Sequence, residues 1–443
     1  MNRKADNSDS RPLIWCVMAT HTVLPISPDI LGFAEVIAPQ SEIDGKPKSG
    51  EPHLYQTDRM KRLSTPWSVC LTRAEQLADC RLGQGILLDP ACGSGSQLFA
   101  YCSELERAGI GIELDADSAV LSAANGQIVA DGGNSEWTSE SFVLVGDGTD
   151  ATAALSEIGM SGQAVAVMHV DPARPLDTQN HSLDEMEPPI SILLNRWADH
   201  FVIGRRGPAI IIDLSPRLLE TQQQEIEQLL LSYWPDSPIT WEWVSTGRGR
   251  IDRLTIWFGT AADSATPARM LRLLSDGSVV SFAGRATDVK RATSAVPSTR
   301  DWLTIVDSAL LASGLQGQWL REALPPESTR HWVRISGRRP MLLSSEPLHM
   351  EKSIVSAFVS STGQIISRLK VEPKVENISP ILVSANSAYL SRLTLRCKME
   401  PSAQPKLQRK LDHGLKDYPR GKPGFLADVE TNDGDAWFIC KEP

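Results

Sequence analysis

The sequence predicts an α/β protein in which a Rossmann-like, seven-stranded domain precedes a smaller α+β C-terminal domain. Three observations support this fold class. Short apolar segments alternate with segments of helical spacing over residues 85–233. Two further strand-like segments, 240–245 and 253–258, follow without a helix between them. The chain has 443 residues, which is too long for one ordinary core, so two or three domains are expected.

The predicted elements begin with a helix over residues 66–82. Strand–helix units follow it, and such alternation builds a parallel sheet with helices on both faces. Gly247 and Gly249 predict a tight turn between the last two strands. The parallel strands are predicted at 86–88, 109–114, 142–145, 165–170 and 209–214, and the helices at 97–107, 117–130, 191–203 and 218–233.

Four regions follow from this pattern. Residues 1–75 are unassigned, residues 76–260 form the Rossmann-like domain, residues 261–300 form a connector and residues 301–443 form the second domain. The connector contains weak strands near Leu271 and Val279. In the second domain the sequence predicts a mainly helical segment at 302–315, mixed patterns at 350–369 and 381–396, a helix at 407–415 and a hairpin of 424–430 with 435–440.

The composition is that of a globular protein, with 41% hydrophobic and 22% charged residues. No apolar stretch reaches the roughly 20 residues that a membrane helix needs, and the N-terminal apolar segment is too short for a signal peptide. The seven cysteines include no pair with CxxC spacing, so neither a zinc site nor a redox motif is predicted. Reduced cysteines indicate a cytoplasmic protein without a bound metal.

The segment with the most specific chemistry is 88–96, which follows a strand and opens a helix. Gly93 and Gly95 let the backbone approach a ligand closely because they carry no Cβ. The N–H groups at the helix N-terminus point toward a bound molecule. Asp89, at the end of the strand, is placed to hold a cationic amino group. The alternative is a simple tight turn without a ligand.

Acidic residues also end the next two strands. Glu113 ends the second strand, where an acid hydrogen-bonds ribose hydroxyls in folds of this kind, and Asp115 is interpreted as a helix cap. Asp147 ends the third strand and is placed to accept a hydrogen bond from an adenine amino group. The alternatives are a surface acid at Glu113 and a turn aspartate at Asp147. The three strand ends together predict a nucleoside-binding crevice.

The fourth strand ends in Asp171, Pro172 and Arg174, next to that crevice. Substrate chemistry belongs at this position in an open α/β sheet. Asp171 could orient or deprotonate a nitrogen nucleophile, and Arg174 could hold a phosphate or a base edge. A proline-ended strand with a solvated arginine is the alternative. His169, inside the strand, is interpreted as a core residue.

These motifs resemble those of class I S-adenosylmethionine-dependent methyltransferases that carry a C-terminal THUMP-like domain. The resemblance covers about residues 75–443 and implies a seven-stranded sheet whose last strand is antiparallel, S-adenosylmethionine as cofactor and activity on RNA. Pro175 and Glu113 depart from the family pattern, which more often has a basic residue and an aspartate there. Further stretches that carry the resemblance are 242–245, 257–259, 307–315, 396–410, 426–429 and 436–440. The implied cofactor-binding residues are Asp89, Ala91, Gly93, Gly95, Glu113, Leu114, Asp147 and Gly148, and the implied catalytic residues are Asp171, Pro172 and Arg174.

The leading hypothesis is an RNA methyltransferase that modifies a base nitrogen in tRNA or rRNA. Enzymes that methylate C5 of a pyrimidine need a thiolate, and no cysteine lies between Cys102 and Cys397. The net charge is −10, yet residues 386–423 hold nine basic and three acidic residues. A methyltransferase for a small molecule, DNA or a protein, and a non-catalytic binding module, are the alternatives. RNA contacts are predicted at Arg396, Lys398, Lys406, Arg409 and Lys410.

Overall fold

The computed structural model describes residues 21–39, 50–133, 135–173, 183–247, 249–292, 295–416, 420–432 and 434–443. These residues form two sheets with helices packed on them. The strands are β1 (Thr22–Pro25), β2 (Ile86–Asp89), β3 (Gly109–Glu113), β4 (Phe142–Val145), β5 (Val165–Val170), β6 (Ala209–Leu214), β7 (Ile239–Ser245), β8 (Arg253–Gly259), β9 (Ala268–Leu273), β10 (Val279–Gly284), β11 (Trp302–Val306), β12 (Arg330–Arg334), β13 (Met341–Ser344), β14 (Val359–Leu369), β15 (Leu390–Leu395), β16 (Lys422–Thr431) and β17 (Gly434–Lys441). The α-helices are α1 (Ile30–Ile37), α2 (Asp58–Leu63), α3 (Trp67–Ala78), α4 (Ser96–Leu105), α5 (Ala116–Asp131), α6 (Ala151–Glu157), α7 (Ile190–Trp197), α8 (Glu220–Tyr233), α9 (Ser308–Ala312), α10 (Gln316–Ala323), α11 (Ser353–Ser356), α12 (Ile378–Ser387) and α13 (Gln404–Gly414).

The first sheet has the strand order β1-β4-β3-β2-β5-β6-β8-β7-β9-β10. Strands β2 to β6 are parallel to one another, and β8 is antiparallel to both β6 and β7. The seven central strands therefore form the predicted sheet, closed by the predicted antiparallel hairpin. From β2 the chain proceeds outward to β3 and β4, and it then returns to β5 on the other side of β2. This reversal creates a crevice at the carboxyl ends of β2 and β5, where open α/β sheets bind ligands.

The central strands are buried on both faces. In β2, Ile86 and Leu88 belong to one apolar cluster and Leu87 belongs to the other. A parallel strand covered by helices on both sides is apolar at successive positions rather than at alternate ones. The short uninterrupted apolar runs in the sequence predicted these strands for that reason.

Both edges of the first sheet extend beyond the seven predicted strands. β1, from the region left unassigned, pairs antiparallel with β4. The two weak strands of the connector are present as β9 and β10, and β9 pairs in parallel with β7. Leu271 of β9 is buried against Val69 and Val244, which fixes this added pair of strands to the first sheet.

The second sheet has the order β12-β13-β11-β14-β17-β16-β15, and only the β15–β16 pair among these described strands is parallel. The apolar sides of α12 and α13 pack on one face of it, where Ile381, Leu407 and Leu411 are buried. The predicted final hairpin is present as β16 and β17. A second, α+β unit therefore follows the first sheet.

The prediction of a mainly helical segment at 302–315 was wrong in its first part. Residues Trp302–Val306 form β11, in the interior of the second sheet. An aromatic and three β-branched residues occupy this segment, and such side chains favour strands. The helix begins only after Asp307, whose carboxylate accepts a hydrogen bond from the N–H of Ala309.

Candidate functional site

Residues 90–95, which we call the glycine turn, lie at the carboxyl end of β2 and lead into α4. Gly93 and Gly95 have φ angles of +51° and +69°, in the left-handed region that favours glycine. A Cβ at Gly95 would overlap the Phe99 ring and the Ser122 hydroxyl, whereas a Cβ at Gly93 would meet no atom within 4 Å. Gly95 is therefore required by packing, and Gly93 leaves open space above the turn.

Asp89 lies inside the fold, with 3% of its surface exposed. Its Oδ1 accepts a hydrogen bond from the Ala91 N–H at 3.1 Å, and its Oδ2 lies 2.8 Å from Nδ1 of His169. A direct contact between Asp89 and a cationic ligand group stays a prediction. In the structure the carboxylate fixes the first residues of the turn through the Ala91 N–H.

Glu113 links the turn to the end of β3. Its Oε2 accepts from the N–H of Gly93 at 3.1 Å, and its Oε1 accepts from the N–H of Asp115 at 3.0 Å. Burial raises the pKa of Glu113, and these two hydrogen bonds oppose that rise. Each carboxylate oxygen has a second lone pair, so Glu113 can still accept a hydroxyl. Asp115 caps α5 through the N–H of Ser118, as predicted.

The neighbouring strand ends complete the crevice. Leu114 follows β3 and is 77% exposed, so its apolar side chain lies at the surface. Oδ1 of Asp147 accepts hydrogen bonds from the N–H and the hydroxyl of Thr149, and the predicted contact to an adenine amino group stays a prediction. A Cβ at Gly148 would overlap the Pro90 carbonyl, so the β4 end packs directly against the glycine turn.

The carboxyl end of β5 brings the predicted catalytic carboxylate to the same side of the sheet as the glycine turn. Asp171 forms an ion pair with Arg253, with 2.9 Å between Oδ2 and Nη1. Pro172 is buried beside it, and Arg174 lies outside the described residues. Arg253 was missed by the sequence analysis because it begins β8, which is distant in the chain but lies two strands from β5 in the sheet.

His169 is buried, as predicted for a core residue, and its ring lies between two carboxylates. Its Nε2 lies 3.4 Å from Oδ2 of Asp213, in addition to its contact with Asp89. Burial disfavours the charged imidazole, yet the two carboxylates outweigh this effect and raise the pKa of His169 to about 9. Asp213 in turn pairs with the buried guanidinium of Arg73, at 3.1 Å. The one signal in the sequence was Asp213 itself, an acid inside an otherwise apolar strand.

The region left unassigned from the sequence also contacts the turn. The Asn125 side chain accepts from the N–H of Tyr55 at 2.6 Å and donates to the carbonyls of Tyr55 and Ser94, each at 2.9 Å. The Ser64 hydroxyl lies 3.2 Å from that of Ser94. The segment before α3 is therefore part of the site's framework.

Within the part of the chain that the structure describes, no group of three or more His, Cys, Asp or Glu side chains could hold a metal ion. Among the same residues, no helix combines the length and apolar character needed to cross a membrane.

No protein-family model matches the chain, and no curated protein matches it. Solved structures that are similar include a predicted O-methyltransferase from Agrobacterium tumefaciens, at 15% identity and a TM-score of 0.30, over 46% of this chain and 85% of that one. An rRNA methylase from Streptococcus thermophilus is similar at 8% identity and a TM-score of 0.30, over 44% of this chain and 97% of that one. Human methyltransferase-like protein 13, solved in complex with SAH, is similar at 16% identity and a TM-score of 0.28, over 46% and 82%. Each likeness covers less than half of this chain at low identity, and none bears on the THUMP-like resemblance of residues 301–443.

Proposed function

We propose that the protein is an S-adenosylmethionine-dependent methyltransferase that modifies a base nitrogen in RNA. The observation that carries the first part is the order of the seven central strands, β4-β3-β2-β5-β6-β8-β7, with an antiparallel β8. A seven-stranded sheet whose last strand is antiparallel is what the resemblance implies. The glycine turn and Glu113 lie at its point of reversal, where such sheets bind their ligands.

The side chains around the crevice suit a nucleoside with an amino-acid substituent. Open space above Gly93 admits a ligand close to the backbone. Glu113 has lone pairs for ribose hydroxyls, and the exposed Leu114 offers an apolar surface to a purine ring. When bound there, S-adenosylmethionine supplies the methyl group. Asp147 and Gly148 would line the purine end of the site.

Asp171 is the residue we assign to the target. It follows the buried strand β5 at the edge of the crevice, where it can accept a hydrogen bond from an amino group on a base. Arg253 holds the Asp171 carboxylate in place. Proton release from the target nitrogen, after its new bond to carbon has formed, completes the reaction. Arg174 stays a predicted contact to the target.

Nitrogen rather than C5 of a pyrimidine is favoured as the target by the state of the thiol in the glycine turn. Cys92 lies in the glycine turn and is buried. Burial raises the pKa of Cys92 well above its ordinary value, so this side chain stays a thiol near neutral pH. A thiol is a poor nucleophile compared with the thiolate that attack on a pyrimidine ring requires.

RNA as the substrate is supported by the charge on α13. Leu407 and Leu411 bury one side of the helix, while Lys406, Arg409 and Lys410 are exposed. Exposed basic side chains bind phosphates with little dependence on sequence and lose affinity as salt rises. Arg396 and Lys398 lie on the segment before α13, where Lys398 is exposed and Arg396 is half-buried.

Cofactor binding is tested by calorimetry of the pure protein with S-adenosylhomocysteine, the product of the donor. We expect stoichiometric binding to the parent protein. The proposal fails if neither this product nor the donor binds. Mass spectrometry of nucleosides from cells with and without the protein then identifies the modified base, and an unchanged RNA nucleoside profile would point to a small molecule, DNA or protein substrate.

RNA binding is tested by filter binding of tRNA and rRNA fragments over a range of salt concentrations. The double change Arg409→Glu and Lys410→Glu should weaken binding and flatten its dependence on salt. The control is Arg81→Glu with Arg205→Glu. These exposed residues precede β2 and β6, so they lie at the amino ends of the parallel strands and away from the crevice. Equal losses in the two double variants would contradict the assigned surface.

A further inference from the structure

Five ionisable side chains from five elements meet inside the first sheet. None has more than 3% of its surface exposed. Charges removed from water in this way are costly unless they are paired and hydrogen-bonded. The five are Arg73 of α3, Asp89 of β2, His169 of β5, Asp213 of β6 and Glu242 of β7.

Four of them form an unbroken hydrogen-bonded path that we call the buried chain, defined by Arg73, Asp213, His169 and Asp89. Arg73 donates from Nη1 and Nη2 to the two oxygens of Asp213, each at 3.1 Å. His169 bridges Asp213, at 3.4 Å, and Asp89, at 2.8 Å. Asp89 then accepts from the N–H of Ala91, inside the glycine turn. The buried chain therefore connects α3 to the turn through three strands.

The charges at this site balance. Glu242 accepts from Nε of Arg73 at 2.7 Å and from Nε of Arg269 at 2.8 Å. Three carboxylates thus face two guanidinium groups and one imidazole, and the set is neutral when the imidazole carries its proton. Both ring nitrogens face carboxylates, so both donate hydrogen bonds in the charged form.

The groups that face His169 come from three elements. Asp89 of β2 and Asp213 of β6 contact its two nitrogens, and the ring of Tyr101 from α4 lies edge-on with 5.8 Å between centroids. Arg73 lies beyond Asp213. The carboxylates favour the protonated ring and hold its pKa near 9, against burial. Loss of the proton would remove one of the donors to these carboxylates.

We propose that Arg73, Asp213 and His169 are positioning residues that hold Asp89, and through it the glycine turn, in the donor-binding geometry before the donor arrives. This inference rests on the proposed function. None of the three needs to touch the donor, because Asp89 transmits their effect to Ala91. Donor affinity should therefore depend on the protonation of His169, a residue below the binding surface.

The test is the affinity for S-adenosylhomocysteine, measured by calorimetry between pH 7 and pH 10, for the parent and for His169→Gln. Glutamine keeps one donor nitrogen, has an acceptor oxygen in place of the other, and cannot titrate. The amino group of S-adenosylhomocysteine titrates in the same way with both proteins. The ratio of the parent's affinity to that of the variant therefore reports the titration of His169 alone. We expect the parent to bind about tenfold more tightly at pH 7, the scale of one charge-assisted hydrogen bond. That advantage should vanish with a midpoint near pH 9.

His200→Gln is the matched control. His200 hydrogen-bonds the carbonyl of Gly162, which precedes β5, so it lies near the amino ends of the parallel strands and away from the glycine turn. It should bind as the parent does at each pH. A ratio of parent to His169→Gln that stays constant from pH 7 to pH 10 overturns the inference while leaving the proposed function intact. A parent that binds no S-adenosylhomocysteine at any pH overturns both.

A second measurement does not depend on the variant folding. Nitrogen-15 NMR of the parent gives the titration midpoint of His169 with and without S-adenosylhomocysteine. Binding and protonation are reciprocally linked, so a proton that promotes binding must itself be bound more tightly in the complex. We expect the midpoint to rise by about one unit, the equivalent of the tenfold affinity ratio. An unchanged midpoint would show that ligand binding at the glycine turn does not depend on the protonation of His169.

Discussion

Alanine substitutions at Gly93 and Gly95 should separate ligand binding from folding. Both residues adopt left-handed backbone angles, so the same side chain is introduced into the same kind of conformation two residues apart. Their surroundings differ. A Cβ at Gly95 would overlap two buried side chains, whereas a Cβ at Gly93 would enter open space.

Both variants incur the cost of placing a residue with a Cβ in the left-handed backbone region. An alanine in the left-handed region costs about 1–2 kcal/mol relative to glycine. Gly95→Ala adds a collision with Phe99 and Ser122, both of which are fully buried. Overpacking a closed core costs a further 1–3 kcal/mol or so. We therefore expect the free energy of unfolding to fall by about 1–2 kcal/mol in Gly93→Ala and by about 2–5 kcal/mol in Gly95→Ala.

Urea unfolding measures these losses, and calorimetry with S-adenosylhomocysteine measures binding by the folded protein. The methyl group of Gly93→Ala would occupy the space assigned to the donor, so this variant should lose at least about tenfold in affinity, or about 1.4 kcal/mol. Equal losses of stability in the two variants would refute the packing argument. Unaltered affinity in Gly93→Ala would place the ligand elsewhere.

Three more outcomes follow from the same geometry. Arg73→Met removes the guanidinium from Asp213 and leaves Glu242 with that of Arg269 alone, so it should lower the free energy of unfolding by about 3–5 kcal/mol in urea, and a loss below about 1 kcal/mol would show that the network reorganises. The pKa of His169 is raised from its ordinary 6.5 to about 9, so its stabilising effect is complete below pH 6.5 and is lost through pH 9. Urea unfolding should therefore show a loss of about 3 kcal/mol between pH 7 and pH 10 that is absent in His169→Gln. Arg253→Gln should reduce kcat on the RNA substrate at least about tenfold while S-adenosylhomocysteine affinity stays constant, because the arginine holds Asp171 rather than the cofactor, and a parallel loss of affinity would contradict that role.

The central sheet could be predicted from the sequence because its strands are buried on both faces. A run such as Ile86 to Leu88 has one interpretation when a turn and a helix follow it. The edge strands carry no such signal. β1 has four residues, and β10 lies in a stretch rich in Ala, Ser and Thr whose side chains are mostly half-buried. Such segments become strands only because a neighbouring strand offers unpaired N–H and carbonyl groups.

The glycine turn and the acids at the strand ends could also be found in the sequence, because each occurs within a local pattern. Arg73 could not, since it contacts partners 140 and 169 residues away in the chain. A single sequence gives no sign that an arginine on a helix turns inward. His169 was placed correctly in the core, but its charge depends on Asp89 and Asp213, which only the fold brings to it.

The position of Arg73 has a practical consequence for anyone who divides this protein. A fragment that starts at residue 76, where the sequence suggests a domain boundary, would retain Asp213 and Glu242 but lack the guanidinium of Arg73 that contacts both of them. It would also lack Tyr55, the partner of Asn125. Insolubility of such a fragment would say nothing about whether the domain is autonomous, and an expression clone should keep the chain from before β1.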